Sequence, residues 1–520
     1  LIELCLTMAY DAKVNYMDVL GSVKYWDILI YNELRKKNIV IPQKIQREKS
    51  EKFEGAYVKD PIVGLHKWVM SFDLNSLYPH LIMQYNISPE TLVADKAVKN
   101  MSVEKMLNKE VDTSILKDAT MTPNGALFKT TQKGFLPELM QKMYDDRVKF
   151  KQLMIEAQKD YEKTKDPKLL RDISKFNNIQ MAKKISLNSA YGAIGNVWFR
   201  YYNILVAEAI TTSGQLAIRY IEHSLNQYLN KILNTRGEDY IIASDTDSVY
   251  ITFDKLVSKV FVSDTDDNKI VEFLDRVAKE KIEPFIDKSY QDLAEYVNAY
   301  EQKMQMKREV IADKGIWVAK KRYILNAHDV EGVRYKEPKL KIMGVEAVKS
   351  STPAACREKI KEALTIIMTK DNQELNSFIQ DFRKDFMDLK PELIAYPRSV
   401  NGLNKWTESH NLFKKGAPIH CKGAILYNHL LQDKKLQGKY PYIQEGDKIK
   451  FLHMKTPNVY QSTSISFMTK LPSELKLHNF IDYDMQFEKS FVEPLKFITN
   501  IIKWQIDDSY GTQGTLEGFF

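Results

Sequence analysis

Two aspartates stand one residue apart in the stretch Asp239-Tyr-Ile-Ile-Ala-Ser-Asp-Thr-Asp-Ser-Val-Tyr-Ile-Thr252. Apolar residues lead up to Asp245 and Asp247, and a second β-rich run follows, which predicts a strand, a tight turn and a returning strand. Neighbouring carboxylates repel each other and need solvent or a counter-charge. Mg²⁺ prefers oxygen ligands and supplies such a charge. An ordinary solvated turn is the alternative, because Asp and Ser are also turn residues.

The tetrapeptide Ser-Asp-Thr-Asp occurs twice, at 244–247 and at 263–266, which gives an internal comparison. The second copy has polar flanks and precedes a helical pattern over 270–278, so we predict a loop and a helix N-cap there. The tetrapeptide alone therefore indicates little. Its apolar strand context distinguishes the first copy, which still needs a further acid from elsewhere in the chain.

A third candidate acid, Asp73, follows the apolar run Trp68-Val-Met-Ser-Phe72. The pattern predicts a strand that ends at Asp73 and then a short helical turn that is stopped near Pro79. Sites are commonly assembled where strands end, which makes Asp73 a candidate metal ligand. A role as a helix N-cap is the alternative for this residue alone.

Helical patterns over 137–165 and 168–191, separated by Asp166-Pro167, predict an antiparallel hairpin of two long helices. Basic residues are arranged along both helices, and they share faces because residues four apart are neighbours on a helix.

Arg147 and Lys151 are four apart on the first helix, and Lys184, Asn188 and Tyr191 form one stripe on the second. Together these side chains could hold a triphosphate and cover a base. A solvated basic face with Tyr191 in a core is the alternative.

Composition sets broad limits on the protein. A chain of 520 residues is too long for one core, so we expect about two to four domains or subdomains. Its 44% hydrophobic and 28% charged residues are typical of a globular protein, and no apolar run approaches the length of a membrane span. The cysteines Cys5, Cys356 and Cys421 are far apart, which argues against structural zinc and suits a reducing cytoplasm. A net charge of +8 permits a nucleic-acid partner without requiring one.

Three consecutive cations lie between apolar runs in Trp317-Val-Ala-Lys-Lys-Arg-Tyr323. Cations next to an aromatic ring suit contact with a phosphate backbone. A charged strand edge that resists aggregation is the alternative.

Four motifs resemble, in their order along the chain, those of the family B DNA polymerases, and most closely the replicative members from T-even-type bacteriophages. They are Asp73-Leu-Asn-Ser-Leu-Tyr-Pro79, Lys184-Ile-Ser-Leu-Asn-Ser-Ala-Tyr-Gly192, Asp245-Thr-Asp-Ser248 and Lys320-Lys-Arg-Tyr323. The stretch Glu337-Pro-Lys-Leu-Lys-Ile-Met-Gly344 also matches, and the likeness runs from the first residues to the last.

The resemblance implies an α+β fold shaped like a right hand. An antiparallel-sheet palm would comprise 43–133 and 196–343, helical-hairpin fingers 134–195, and a mixed α/β thumb 344–520. Residues 1–42 would be a helical segment that borders the exonuclease domain of such relatives.

The resemblance also implies a DNA-templated DNA polymerase that adds dNTPs to a primer 3′-hydroxyl during phage DNA replication, in the cytoplasm of an infected bacterial host. Asp73, the Leu74 carbonyl and Asp247 would hold two Mg²⁺ ions, for which Mn²⁺ could substitute. One ion would lower the pKa of the primer hydroxyl and the other would carry the triphosphate. Asp245 and Glu309 would support the metals less directly.

Further roles follow from the same resemblance. Tyr78 would be a steric gate whose ring excludes the 2′-hydroxyl of a ribonucleotide. The dNTP would contact Ser76, Leu77, Tyr78, Arg147, Lys151, Lys184 and Asn188; the nascent base pair would contact Tyr191 and Gly192; and the primer–template would contact Lys320, Lys321, Arg322 and Tyr323.

The chain departs from its relatives in two residues near these motifs. Ser244 stands where most relatives carry Gly, which bears on the backbone of the hairpin. Phe53 stands where relatives often have Tyr, so a hydroxyl contact to the template is lost.

Two expectations concern the ends of the chain. Because the sequence starts just after the place where an upstream exonuclease motif would fall, we expect no 3′–5′ exonuclease activity from this polypeptide alone. The exonuclease would be a separate polypeptide partner or a part that was cut away. Leu516, Phe519 and Phe520 resemble a C-terminal peptide that binds a ring-shaped sliding clamp, and a disordered aromatic end is the alternative.

Two other functions stay open from the sequence. One is a catalytically silent DNA-binding or scaffold subunit of a replisome, although an idle site has no physical need for repelling carboxylates. The other is an RNA-making or template-restricted nucleotidyltransferase, against which Tyr78 argues.

Overall fold

A computed structural model describes residues 1–45, 53–93, 98–114, 116–262, 265–408 and 412–507. The chain forms two compact units. The first unit comprises Leu1–Asp60, Val69–Ile311 and Val330–Val333, and the second comprises Pro61–Trp68, Ala312–Asp329 and Arg334–Phe520. Each unit is described by itself.

The first unit contains ten helices and the larger part of a sheet, within the described residues. Its helices are α1 (Ile2–Ala12), α2 (Ser22–Lys36), α3 (Leu77–Gln84), α4 (Val103–Leu107), α5 (Phe135–Thr164), α6 (Pro167–Ile194), α7 (Ile204–Leu233), α8 (Asp254–Val260), α9 (Asp267–Val277) and α10 (Glu283–Tyr296). Its strands are β1 (Gly64–Leu74), β2 (Ala119–Met121), β3 (Leu127–Lys129), β4 (Ile241–Asp245), β5 (Ser248–Thr252) and β6 (Met306–Ala319). β1 begins and β6 ends among residues of the second unit.

The sheet of the first unit has the strand order β4-β5-β1-β6. β4 and β5 form the predicted antiparallel hairpin, and β1 pairs antiparallel with the other edge of β5. Behind them α7 is buried along most of its length, from Val206 to Leu233, which gives the strands an apolar surface to pack on.

The predicted helical hairpin is present as α5 and α6. Asp166 caps α6 by accepting a hydrogen bond from the backbone N–H of Lys168 at 2.9 Å, and Pro167 occupies the first helical position. Proline is tolerated there because that N–H would have no intrahelical partner. The same two residues therefore end one helix and begin the next, and this is why the break was visible in the sequence.

One prediction near Asp73 was wrong. Pro79 does not stop a helix, because α3 runs on to Gln84 with Pro79 in its first turn, where a missing N–H costs nothing. The N-cap of α3 is Ser76, which has a φ of 48°, so Asp73 is not the cap of this helix.

The second unit contains the remaining described elements. Its helices are α11 (Ala354–Thr369), α12 (Asn372–Met387), α13 (Pro391–Ile394), α14 (Leu403–Trp406), α15 (Ile419–Asp433), α16 (Tyr483–Phe487) and α17 (Glu493–Thr499). Its strands are β7 (Arg322–Val330), β8 (Val333–Met343), β9 (Tyr396–Ser399), β10 (Lys448–His453) and β11 (Ser464–Phe467), of which Val330 and Val333 belong to the first unit.

Helices and antiparallel strands are mixed in both units, which agrees with the predicted α+β class. The division into palm, fingers and thumb stays a prediction. None of the described helices is long and apolar enough to cross a bilayer.

The core of the second unit depends on a close approach between α15 and β11. A Cβ on Gly423 would lie 2.6 Å from the Ser466 hydroxyl and 2.7 Å from its backbone nitrogen. Those distances are shorter than van der Waals contact, so the helix can rest on the strand only because residue 423 has no side chain.

We expect Gly423→Ala to lower the free energy of unfolding by about 1–3 kcal/mol, because the strand backbone must move away from the helix. Gly438→Ala is the matched control, since a Cβ there meets nothing within 4 Å and its φ is not positive. Urea unfolding of the two variants measures the difference. Equal stability of the two variants would show that the α15–β11 contact relaxes at no cost.

Candidate active site

Three acids meet at one end of the β4–β5–β1 sheet. Asp73 near the end of β1 is the register partner of Ser248, and Asp245 at the end of β4 pairs with the same serine from the other side. The backbone N–H of Leu74 donates to the carbonyl of Asp247 at 2.8 Å. The strand register therefore places Asp73, Asp245 and Asp247 at neighbouring backbone positions, and all three side chains are partly exposed.

The turn that carries these acids is held from two sides. Thr246 has a left-handed φ of 59°, and the N–H of Asp247 donates to the carbonyl of Asp245 at 2.6 Å. The Thr246 hydroxyl donates to the Asp245 carboxylate at 3.0 Å, and the Thr246 N–H donates to the carbonyl of Tyr57 at 3.0 Å. These bonds fix the backbone of a turn that would otherwise be free to change shape.

The second Ser-Asp-Thr-Asp copy behaves as the sequence predicts. The Asp266 carboxylate accepts a hydrogen bond from the N–H of Asn268 at 3.1 Å and caps α9. Ser263 and Asp264 lie outside the described residues.

A fourth acid, Glu309, approaches from β6. The Ser71 hydroxyl donates to the Glu309 carboxylate at 3.3 Å, and the N–H of Asn75 donates to the carbonyl of Gln305 at 3.2 Å. Asp73 and Glu309 line one cavity of about 400 Å³. A larger cavity of about 660 Å³ near Tyr296 contains none of the predicted site residues.

The donor set fits a hard divalent cation. The carboxylates of Asp73, Asp247 and Glu309 and the nearby backbone carbonyls offer only oxygen atoms, which Mg²⁺ prefers, and their partial exposure leaves room for water.

Cations of the helical hairpin reach the same region. Arg147 on α5 donates from Nη1 to the Ser76 hydroxyl at 3.0 Å, and its Nε is buried without a described hydrogen-bond partner. Burial lowers the pKa of the Arg147 guanidinium, and the negative charge of Glu331 opposes that shift. Lys151, one turn further along α5, is exposed and lines the 400 Å³ cavity. Arg147 is thus already anchored, whereas Lys151 is free to turn within the cavity.

On α6 the predicted stripe faces outward. Lys184, Asn188 and Gly192 are exposed, and Tyr191 is half-buried. Neighbouring Lys183 is instead buried and pairs with Asp11 at 2.7 Å. The stripe is therefore a solvent-facing surface. The alternative that Tyr191 is buried in a core applies only in part, because its side chain is half-buried.

Two tyrosine rings pack against each other beside the acids. The ring centroids of Tyr78 and Tyr191 are 4.8 Å apart. Burial, with smaller contributions from Tyr191 and the negative charge of Asp247, raises the pKa of Tyr78 to about 12, so this phenol stays protonated. Behind the ring lies Gly214 of α7, where a Cβ would be 3.2 Å from Tyr78 Cε1. Contacts with both Tyr191 and the backbone of α7 at Gly214 therefore restrict the position of the Tyr78 ring.

The four predicted DNA contacts lie in the second unit. Lys320 and Lys321 occupy the turn between β6 and β7 and are exposed. Arg322 donates from Nη2 to both oxygens of Glu346, at 2.7 and 3.0 Å. Tyr323 is only 6% exposed and stacks on Trp317. Lys320 and Lys321 are thus more accessible to solvent than Arg322 and Tyr323. Leu516, Phe519 and Phe520 lie outside the described residues.

An ionic network behind the acidic turn had no signal in the sequence. Lys59 contacts Glu222 of α7 at 3.0 Å and Asp239 at 2.7 Å, and it donates to the carbonyl of Ile241 at 2.6 Å. The buried Ser244 hydroxyl donates to Glu222 at 3.3 Å. Ser244 therefore fits the hairpin and has a hydrogen-bond partner there.

These features define a class of protein, and the chain belongs to DNA polymerase family B. The family model matches residues 22–502. The chain is 35% identical to the DNA-directed DNA polymerase of Escherichia phage RB69, over 96% of this chain and 61% of the relative. It is 33% identical to the DNA-directed DNA polymerase of Enterobacteria phage T4, over 95% of this chain and 60% of the relative.

A more distant relative is DNA polymerase 1 of Pyrococcus abyssi, 28% identical over 68% of this chain and 37% of the relative. These matches confirm the family resemblance drawn from the four motifs. The chain spans about three fifths of the length of the two phage relatives.

We expect Lys59→Met to lose stability as pH rises above the ordinary pKa range of a glutamate carboxyl. Burial raises the pKa of Glu222, and Lys59 lowers it. Without the lysine the pKa rises further, so the folded state favours the protonated carboxyl and loses free energy as pH passes upward through that pKa.

Urea unfolding at a series of pH values measures this slope. The double variant Lys59→Met/Glu222→Gln is the control, because an amide does not ionise and the added slope should vanish. A single variant whose pH profile is parallel to that of the wild type would contradict the buried pair.

Proposed function

We propose that this chain is the core of a DNA-templated DNA polymerase, which adds dNTPs to a primer 3′-hydroxyl during phage DNA replication in an infected bacterial cytoplasm. The observation that carries the proposal is the strand register that pairs Asp73 with Ser248, the residue after Asp247, together with the hydrogen bond from the Leu74 N–H to the Asp247 carbonyl. Family membership supports the reaction type.

Asp73, Asp247 and the Leu74 carbonyl would hold two Mg²⁺ ions, with Mn²⁺ as a substitute. Such ions lower the pKa of an attacking hydroxyl and neutralise a leaving phosphate. Asp245 holds the turn through its bonds with Thr246 and Asp247, so its role is to position the ligands. Glu309 adds negative charge from the neighbouring strand.

The incoming nucleotide would lie between the acids and the helical hairpin. Arg147, Lys151 and Lys184 would bind its phosphates, because fixed cations offset the charge that develops on the phosphate oxygens. The other proposed contacts are Ser76, Leu77 and Asn188 for the nucleotide and Tyr191 and Gly192 for the base pair.

Tyr78 would select the sugar. Its ring packs on Tyr191 and lies close to Gly214, so it cannot easily move aside for a 2′-hydroxyl. A rigid group that clashes with the wrong substrate gives specificity without extra affinity for the right one.

Lys320 and Lys321 would contact the backbone of the primer–template, with Arg322 and Tyr323 supporting their turn. Such contacts are independent of sequence and weaken with salt. The tail residues Leu516, Phe519 and Phe520 are proposed to bind a sliding clamp. A catalytically silent scaffold is the competing function, and it would not need acids at neighbouring positions of adjacent strands.

We expect Asp247→Asn to lower the rate of primer extension with Mg²⁺ and dNTPs by at least about 100-fold, because an amide neither carries the charge nor binds a hard cation equally well. A single-nucleotide extension assay measures the rate.

Asp266→Asn is the matched control. It makes the same change at the same place in the second Ser-Asp-Thr-Asp copy, and asparagine still caps a helix. If wild type binds primer–template but extends nothing, the scaffold function is favoured; if Asp247→Asn extends at the wild-type rate, the metal assignment is wrong.

For sugar selection, we expect Tyr78→Ala to raise the ratio of ribonucleotide to deoxynucleotide incorporation by at least about tenfold, since the space for a 2′-hydroxyl opens. Competition between the two nucleotides at one template position gives the ratio. Tyr78→Phe keeps the ring and should keep the discrimination. An unchanged ratio in Tyr78→Ala would exclude this residue as the gate.

A further inference from the structure

The cavity beside Asp73 and Glu309 extends to cations that have no role in the proposed reaction. Lys279 lies in the π-helical turn between α9 and α10, and Lys307 lies on β6, two residues before Glu309. Both lysines line the same cavity of about 400 Å³ as Lys151. Three lysines from α5, the π-helical turn and β6 therefore line a space that is large enough for a phosphate-sized anion.

The two lysines are available to such an anion. Lys279 contacts Asp275 at 2.7 Å and Lys307 contacts Glu283 at 3.0 Å, yet their side chains are 62% and 52% exposed. Exposed ion pairs contribute little to stability because water screens them. Each ammonium can therefore turn toward a more highly charged anion at small cost.

The acids that hold these lysines are themselves fixed. Arg308 is 4% exposed, and its Nη2 donates to Asp275 at 2.8 Å. Its backbone N–H donates to the Glu283 carboxylate at 3.1 Å. One buried residue thus anchors both carboxylates, which keeps the two ammonium groups at the wall of the cavity.

We propose that Lys279 and Lys307 form an exit subsite for pyrophosphate. The inference rests on the proposed function. The primer 3′-oxygen forms a bond to the α-phosphorus, the bond from that phosphorus to the bridging oxygen breaks, and its electron pair leaves with pyrophosphate. The hydroxyl proton passes to solvent. Before the reaction, the β- and γ-phosphates of the dNTP lie near Lys151. After the bond breaks they form pyrophosphate, and Lys279 and Lys307 bind this anion as it separates from the primer.

A subsite of this kind binds the product and not the transition state. Substitution of the lysines should therefore weaken pyrophosphate binding while the forward kcat/KM for dNTP stays within about twofold of wild type. This split separates the exit subsite from Lys151 and Arg147, whose proposed contacts are made before the bond forms.

The test is product inhibition of single-nucleotide extension by added pyrophosphate, with Mg²⁺ in excess. For Lys279→Gln/Lys307→Gln we expect the inhibition constant to rise at least about tenfold, because two charge-assisted contacts are lost. Lys288→Gln is the matched control: Lys288 pairs with Asp292 at 2.8 Å across the same spacing of four residues, is 72% exposed, and does not line the cavity.

A second variant separates direct contact from bulk charge. Lys307→Gln/Glu283→Gln leaves the net charge unchanged, so an inhibition constant that still rises supports contact, and one that returns to the wild-type value overturns it. An unchanged constant in the double lysine variant also overturns the subsite and leaves the proposed function standing. If wild type extends no primer, the proposed function fails, and calorimetric titration of the protein–DNA complex with pyrophosphate still decides whether these lysines bind it.

Discussion

The register of β5 between β4 and β1 is the constraint on which the rest of the site depends. Ser248 faces Asp245 on one neighbour and Asp73 on the other. Side chains alternate along a strand, so a slip of one residue in either pairing would turn an acid to the opposite face of the sheet. Asp73 and Asp245 are more than 160 positions apart in the sequence. The pairing of β4, β5 and β1 therefore decides whether these acids lie on the same face of the sheet.

Charge balance explains much of what surrounds that register. Asp73 and Glu309 line the same cavity as Lys151 of α5 and Lys307 of β6. The strand before the turn between β4 and β5 contacts the ion pair of Lys59 and Glu222. A buried pair of this kind is costly to break, and its value lies in holding one geometry more than in net stability. The first unit thus places an ion pair next to the strand that leads into Asp245 and Asp247.

Local signals made part of this structure predictable. The Asp166-Pro167 break and the apolar runs around Asp245 act over a few residues, so the helical hairpin and the strand hairpin were found with bounds within a few positions. The prediction that Pro79 stops a helix was wrong because proline is allowed in the first turn of a helix as well as after its end. Lys59, Glu222 and Lys307 are set by tertiary contacts alone, and no spacing in the sequence indicates them.

The contact between Gly214 and Tyr78 limits which sequences this protein can explore. A methyl group at 214 would press on the Tyr78 ring at 3.2 Å, so even the smallest substitution shifts that ring by a few tenths of an ångström. Residue 214 is one of many buried positions of α7, and its burial alone does not indicate a link to the site. The contact nevertheless couples the two positions, so a larger residue at 214 requires a change in the placement or the size of the side chain at 78.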